Sequence, residues 1–183
     1  MTDVVVVGGG PAGLSAALFT EKNGLDTVVY DTDETWMHKA HLFNYLGIDS
    51  MDGTEYIEAS REQVEEFGVD IHESEVTDVE QGSDGFVVTT EDGEAEASYL
   101  VLATGADRSL AEALDCAFDG DLVDVTISME TSVADAYATG AMVRDQEWQA
   151  IISAGDGGAA ALDILSKEEG EHFHDFDVPA DAE

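Results

Sequence analysis

Basic residues are scarce in this sequence. Only 6 of its 183 residues are Lys or Arg, against 42 Asp or Glu, and the formal net charge at pH 7 is −36. Proteins that bind nucleic acids attract the phosphate backbone with clustered Lys and Arg, and proteins that dock on anionic lipid use the same residues. The composition therefore excludes nucleic acids and anionic membrane surfaces as partners.

The sequence also has few cysteines and no long apolar run. The single cysteine, Cys116, excludes an intrachain disulfide, a cysteine-rich metal site and a CxxC redox pair. No stretch reaches the roughly 20 apolar residues that span a bilayer, and the first residues lack the basic leader of a signal peptide. We therefore expect a cytoplasmic protein in a reducing environment.

The acidic charge does not prevent folding, because 44% of the residues are apolar and many stand in patterned segments. Charges of one sign repel less in concentrated salt, where the Debye length falls from about 10 Å at 0.1 M to about 3 Å at 1 M. The composition resembles that of proteins from extreme halophiles such as haloarchaea. The alternative is an acidic protein from a mesophile.

Short β-branched runs and helical apolar periodicity predict an alternation of strands and helices. Residues 4–7 and 27–30 are typical of strands buried on both faces of a parallel sheet, and residues 12–23 between them of a helix. Such a βαβ unit almost always crosses over right-handed. A second helix is expected with Thr54 as its N-cap, followed by a third parallel strand at residues 69–71.

The middle of the chain carries three short strand patterns separated by glycine-containing turns. They cover residues 75–81, 85–90 and 94–98, which predicts an antiparallel β-meander, and a further apolar strand follows at residues 99–103. The sequence therefore predicts an α/β fold: a Rossmann-like parallel sheet with helices on it and a three-stranded antiparallel β-meander as a crossover.

The last third of the chain is too short for a second nucleotide-binding domain. Residues 106–121 are too few for another βαβ unit, which needs roughly 30 residues. Residues 136–138 are expected to form a short final strand and residues 149–166 a helix. The glycines at positions 155, 157 and 158 weaken that helix, which indicates that another part of the chain approaches its backbone closely.

Glycines follow the first predicted strand in the spacing G-x-G-x-x-G. Gly8 would allow the tight turn, Gly10 the close approach of a dinucleotide pyrophosphate, and Gly13 close packing of helix on strand. Free N–H groups at the helix start would attract the pyrophosphate. Asp31, at the end of the second strand, would accept hydrogen bonds from a ribose diol. The alternative is a strand-to-helix turn that holds no ligand.

Together these segments resemble the thioredoxin-reductase-like branch of the flavoproteins that bind two dinucleotides. The resemblance rests on the glycine motif at residues 8–13, on Asp31, on the meander followed by Ala-Thr-Gly at residues 103–105, and on residues 129–161. In that family an inserted NADPH domain splits the FAD domain in sequence. Here the short link 106–121 stands where the insertion would be.

The resemblance implies a single FAD-binding, or dinucleotide-binding, domain over residues 1–166, followed by an acidic C-terminal tail over residues 167–183. FAD is the expected cofactor, NAD is the alternative, and no metal site is expected. The residues expected to bind the cofactor are Gly8, Gly10, Pro11, Ala12, Gly13, Asp31, Asn44, Thr104, Gly105, Gly140, Gln149 and Ala150.

Two features depart from the family pattern. Ala141 stands where the family has an aspartate that binds the ribityl and pyrophosphate region of FAD. Losing that hydrogen-bond acceptor costs roughly 0.5 to 1.5 kcal/mol net. The redox-active CxxC of the family belongs to the NADPH domain. This chain is therefore not expected to act by itself as a complete thioredoxin reductase.

Other residues have a structural explanation beside a functional one. Cys116 is either a reactive thiol or a small buried apolar residue. His38 and His41 either share a metal or are ordinary polar side chains. Trp36 and Trp148 either stack on adenine or flavin or pack against protein.

Three functions remain open from the sequence. The first is an FAD-dependent oxidoreductase or electron-transfer protein that exchanges electrons with a separate donor or acceptor protein. The second is a non-catalytic module that binds FAD or NAD. The third is a subunit of a hetero-complex whose partner supplies the pyridine-nucleotide domain. No catalytic acid or base can be assigned, and the resemblance makes a homodimer one expectation.

Overall fold

The computed structural model describes residues 1–178. The strands are β1 (Thr2–Val7), β2 (Thr27–Asp31), β3 (His41–Leu42), β4 (Met51–Asp52), β5 (Asp70–Glu73), β6 (Val76–Gln81), β7 (Phe86–Thr90), β8 (Gly93–Leu102), β9 (Phe118–Asp119), β10 (Leu122–Val123) and β11 (Ala136–Ala138). The α-helices are α1 (Pro11–Lys22), α2 (Gly53–Phe67), α3 (Ser109–Ala113) and α4 (Ala150–Glu169), and 3-10 turns cover Trp36–Lys39 and Gly140–Val143.

The main sheet has seven strands and confirms the predicted fold. Its strands follow the order β5-β2-β1-β8-β7-β6, with β11 on the other side of the end of β8. The pairs among β5, β2, β1, β8 and β11 are parallel, whereas β6, β7 and β8 form an antiparallel meander. The chain therefore combines a Rossmann-like parallel sheet with the expected three-stranded crossover.

The two strands predicted at residues 94–98 and 99–103 are in fact one. β8 runs unbroken for 10 residues, and its first half pairs with β7 while its second half pairs with β1 and β11. The sequence becomes apolar at Tyr99 because, from about this residue on, β8 pairs with the buried strands β1 and β11 and no longer with β7.

Alternate side chains of β1 point into two cores. Val4 and Val6 pack against α1, α2 and α4, whereas Val5 and Val7 pack against the meander and the end of β8. All four valines are at most 5% exposed, which explains the uninterrupted β-branched run. The parallel sheet is therefore covered by helices on one face and by the meander on the other.

The start of α2 and the end of α4 differ from the sequence prediction. The N-cap of α2 is Asp52, whose carboxylate accepts a hydrogen bond from the Thr54 N–H at 2.9 Å, so Thr54 is not the cap. Helix α4 runs on to Glu169 beyond the predicted end at Ser166. No helix in residues 1–178 is both long enough and apolar enough to cross a membrane.

Candidate functional site

A groove of about 800 Å³ runs along the edge of the sheet where the parallel strands end. In open α/β sheets, ligands bind in the crevice outside the carboxyl ends of the strands. The predicted cofactor residues on its wall are Gly8, Gly10, Pro11, Ala12, Asp31, Thr104, Gly105, Gly140, Gln149 and Ala150. The fold therefore brings ten of the twelve predicted residues, from distant parts of the sequence, to one cavity.

Each glycine of the turn after β1 meets a different constraint. Gly8 has a φ of +111°, and a Cβ on it would lie 2.4 Å from the carbonyl oxygen of Ala103. A Cβ on Gly13 would lie 1.8 Å from the carbonyl oxygen of Gly8, so Gly13 packs behind the groove and is not on its wall. Gly10 differs, because the nearest protein atom to its Cβ position is 3.5 Å away. Protein packing therefore does not require a glycine at position 10, which lies on the groove wall.

Two helices begin at this groove. Gly10 is the N-cap of α1 and Gln149 the N-cap of α4, and neither helix has an acidic residue in its first turn or a side-chain cap. The first N–H groups of a helix have no partner within it, and the helix dipole adds about half a positive charge there. The two helix ends offer hydrogen-bond donors to an anionic ligand in a chain that has few cationic side chains.

Asp31 lies on the groove wall and is held by an arginine. Its Oδ2 accepts a hydrogen bond from Nη2 of Arg61 at 2.9 Å, and its side chain is 8% exposed. A Cβ on Gly9 would lie 2.3 Å from the same oxygen, so the absence of a side chain at Gly9 makes room for this carboxylate. The position fits the expected ribose contact.

Two aromatic side chains stand at the end of the groove where α4 begins. The rings of Trp36 and Trp148 are 5.3 Å apart and tilted by 55°, and both line the groove while remaining 56% and 44% exposed. Nearby, Nδ2 of Asn44 donates a hydrogen bond to Oε1 of Gln149 at 2.6 Å. Asn44 is itself not on the groove wall, but it contacts the wall residue Gln149, and its contact with the cofactor stays a prediction.

Comparison with known proteins identifies the family. The sequence profile described as pyridine nucleotide-disulphide oxidoreductase matches residues 2–106 and 41–158. The chain belongs to the pyridine nucleotide-disulphide oxidoreductase family. Thioredoxin reductases are 30% identical over 109 residues in Listeria monocytogenes and 36% identical over 116 residues in Treponema pallidum.

These matches cover 58% of this chain but only 34% and 36% of those two reductases. A ferredoxin–NADP reductase of Levilactobacillus brevis is 29% identical over 112 residues, which are 56% of this chain and 34% of that protein. The chain spans about a third of the length of the curated relatives it matches.

Solved structures share the fold at low identity. The atypical thioredoxin reductase TRi from Desulfovibrio vulgaris Hildenborough aligns with a TM-score of 0.87 at 19% identity, over 93% of this chain and 99% of that chain. A thioredoxin reductase from Gloeobacter violaceus aligns with a TM-score of 0.86 at 19% identity, over 97% of this chain and 99% of that chain. The likeness confirms the Rossmann-like fold of this oxidoreductase family member.

Several groove residues of this family member were missed from the sequence. Ser74 to Thr77, directly after β5, line the groove beside Asp31, as do Thr139 after β11 and Ser153 in α4. The rule that ligands bind beyond the carboxyl ends of parallel strands could have found the residues after β5 and β11. Arg61, in the middle of α2, carried no local signal, because its role depends on a contact 30 residues away.

Titratable groups on the groove wall are acids or a phenol. Burial raises the pKa of Tyr30, and the backbone N–H of Ser109 lowers the pKa of Asp107. Among the described wall residues there is no His, Lys, Arg or Cys. The titratable side chains of the described wall are therefore carboxylates and the Tyr30 phenol, beside several serine and threonine hydroxyls.

The remaining candidates have structural roles. Cys116 is 7% exposed and lies off the groove wall, and burial raises the pKa of its thiol. His38 contacts Thr54 and Asp33, whereas His41 contacts Ser50, so the two imidazoles do not share a ligand site. Residues 1–178 contain no cluster of three or more His, Cys, Asp or Glu able to hold a metal.

Proposed function

We propose that this chain binds FAD in the sheet-edge groove and works as an oxidoreductase or electron-transfer protein. The observation that carries the proposal is the convergence of two helix N-termini, the open space beside Gly10 and the carboxylate of Asp31 on one cavity. A dinucleotide needs this combination: donors for a pyrophosphate, room for its approach and an acceptor for a ribose.

The residues present fit FAD in most respects. The groove volume of about 800 Å³ lies within the range of roughly 300 to 1,000 Å³ typical of small-molecule sites. Gly10 leaves the space that a Cβ would fill, and the exposed faces of Trp36 and Trp148 offer apolar surface at the α4 end. Ala141, on the wall, is the residue that fits less well, since it offers no side-chain acceptor.

The side chains and N–H groups of the chain would bind and shield the cofactor. The N–H groups that open α1 would hold the pyrophosphate, Asp31 the adenosine ribose, and those that open α4 the flavin end. The two tryptophans would exclude water from the ring. When bound, the flavin would supply the redox chemistry itself.

Electrons would have to pass to or from a separate molecule. With one cysteine in the sequence, this chain contains no dithiol of its own. We propose a donor or acceptor protein as the partner, which includes the case of a hetero-complex whose other subunit carries the pyridine-nucleotide domain. A homodimer, a cytoplasmic location, a halophilic source and a single FAD domain over residues 1–166 belong to the same proposal.

A second candidate is a non-catalytic module that binds FAD or NAD. It is favoured by Ala141, which removes a family contact to the flavin half of the cofactor but leaves the adenosine end at Asp31 intact. A module of this kind would bind ADP-containing nucleotides with similar affinity whether or not they carry a flavin.

Purification in multimolar salt tests both candidates. The proposed function predicts a yellow protein whose released chromophore is FAD and whose absorbance bleaches on reduction with dithionite. Bleaching with NADH or NADPH alone would show that no separate electron donor is needed and would contradict the proposed partner. A colourless protein that binds NAD and FAD equally well would support the second candidate instead.

A further inference from the structure

The carboxylate expected to recognise a ribose already has a protein partner. Arg61 and Asp31 form a salt bridge in which Nη2 lies 2.9 Å from Oδ2, and their side chains are only 16% and 8% exposed. Arg61 belongs to α2, whereas Asp31 ends β2, so the pair connects a helix to the groove wall. The chain has only 6 Lys and Arg residues, and one of them, partly buried, holds a carboxylate of the groove wall.

The two carboxylate oxygens of Asp31 have different surroundings. Oδ2 lies between Arg61 and the backbone of Gly9, whose Cβ position is 2.3 Å away. Oδ1 accepts no hydrogen bond from a donor in residues 1–178, and it is open to the groove. One oxygen is therefore fixed by protein while the other remains an acceptor for a ligand.

Arg61 is itself held in a fixed orientation. Its Nη1 lies 3.3 Å from Oδ1 of Asp33, and Asp33 also contacts Nε2 of His38 at 3.0 Å. A planar guanidinium whose two Nη atoms each contact a different carboxylate loses its freedom to rotate, which fixes the position of the oxygen it holds on each. A lysine could supply the charge but not this fork of donors.

The guanidinium of Arg61 also offsets the negative charge around Asp31. Asp31 shares the groove wall with Glu34 and Glu75, and the chain as a whole carries a net charge of −36. Burying a charge without a partner costs free energy, so an unpaired Asp31 would turn towards solvent and be lost as an acceptor on the groove wall. The hydrogen bond from Arg61 holds the Asp31 side chain on that wall.

We propose that Arg61 is a positioning residue for ribose recognition: by holding Oδ2 of Asp31, it presents Oδ1 to the 2′- and 3′-hydroxyls of the adenosine in a bound nucleotide. The proposal deepens the proposed function and rests on its nucleotide-binding part. It assigns to Arg61 no contact of its own with the ligand.

The test compares ADP with its 2′,3′-dideoxy analogue, which lacks both ribose hydroxyls, by calorimetric titration in high salt. The ratio of the two dissociation constants isolates the ribose contact from general damage to the fold. Hydrogen bonds to a charged acceptor predict a ratio of about tenfold in the wild type. Arg61→Met should bring the ratio close to one, and Arg61→Lys should give an intermediate value.

Two further variants separate positioning from structure. Arg144→Met breaks the matched ion pair with buried Asp156, away from the ribose end, and should lower stability while leaving the ratio unchanged. Asp31→Asn should lower the ratio as Arg61→Met does, and the double variant Asp31→Asn with Arg61→Met should lose nothing more. An additional loss in the double variant would give Arg61 its own ligand contact and overturn the positioning role.

Other results of the same titrations would overturn the positioning role of Arg61. A wild-type ratio near one, a wild-type chain that does not bind ADP, or an Arg61→Met variant that keeps the wild-type ratio would overturn the proposal. An equal fall in Arg144→Met would show that the ratio reports general loosening of the fold and would overturn it as well. If the ratios behave as expected while FAD fails to bind, the proposed function fails and the role of Arg61 stands.

Discussion

Gly157 of α4 lies directly against the main chain of α1, because a Cβ built on it would fall 2.0 Å from the carbonyl oxygen of Ala12. Ala12 also lines the groove at the start of α1. The contact therefore fixes the distance between the two helices whose N-termini open into the groove. It explains the glycine at position 157, although glycine weakens a helix, whereas the close approach also expected at Gly155 is absent, since nothing lies within 4 Å of its Cβ position.

Substitution of these glycines should have opposite effects at neighbouring positions. Gly157→Ala should lower the free energy of unfolding by about 3 kcal/mol, because the added methyl group overpacks the interface of α1 and α4. Gly155→Ala should raise it by up to about 1 kcal/mol, because nothing lies within 4 Å of its Cβ position and alanine favours helix. Denaturant titrations in high salt measure both values, and equal effects at the two positions would contradict the packing.

Gly10→Ala should separate ligand binding from folding. Its φ of −81° suits alanine, and the nearest protein atom to the new methyl group, Oγ1 of Thr35, is 3.5 Å away, so the melting temperature should stay unchanged. The methyl group would occupy the space needed by a pyrophosphate, and FAD affinity should fall by about tenfold or more. Gly155→Ala is the control that should keep full affinity. Full affinity in Gly10→Ala would place the pyrophosphate elsewhere.

Ala141→Asp should strengthen FAD binding. Ala141 lies on the groove wall where the family has an aspartate, and a restored acceptor should raise FAD affinity about fivefold, the equivalent of one net hydrogen bond. Ala141→Asn adds a similar volume and acceptor without the charge and should give a smaller gain. If both variants bind FAD more weakly than the wild type, the cofactor does not pass residue 141 as proposed.

The thiol of Cys116 should be inert while the protein is folded. It is buried, and desolvation raises its pKa, so little thiolate is present near neutral pH. Iodoacetamide should label it only after unfolding, and Cys116→Ser should retain any redox activity with FAD. Rapid labelling of the native protein, or loss of activity in the serine variant, would give this thiol a redox role.

High salt should stabilise the fold. Mutual repulsion in a chain with net charge −36 is screened as the Debye length shortens, so the melting temperature should rise from millimolar to molar KCl. Flavin retention should follow the same trend. A melting temperature and a flavin content that stay constant down to millimolar salt would contradict the halophilic interpretation of the charge.

The sequence predicted the fold and ten residues of the groove wall, mainly because its signals are local. The valine run of β1, the G-x-G-x-x-G turn and the acidic end of β2 each reflect a few neighbouring residues that must meet a fixed backbone geometry. The family resemblance then added Thr104 and Gln149, which no local pattern would have brought to the same cavity.

What the sequence could not show are contacts between distant side chains. The partner of Asp31 is Arg61 on α2, and Asn44 bonds to Gln149 across 105 residues, so neither pair leaves a local pattern. Asn44 and Gly13 are both among the residues expected to bind the cofactor, yet neither lies on the groove wall. The single strand β8 was divided in two for a similar reason, since its neighbours change while its backbone continues.

Binding of FAD in the sheet-edge groove underlies the proposed function. Titration of the ligand-free protein with FAD in multimolar salt, followed by quenching of flavin fluorescence, tests it most directly. We expect saturation at one FAD per chain, with Gly10→Ala shifting the curve to higher FAD concentration and Gly155→Ala leaving it in place. A folded wild-type protein that leaves flavin fluorescence unchanged at every FAD concentration, and holds no flavin after purification, would contradict it.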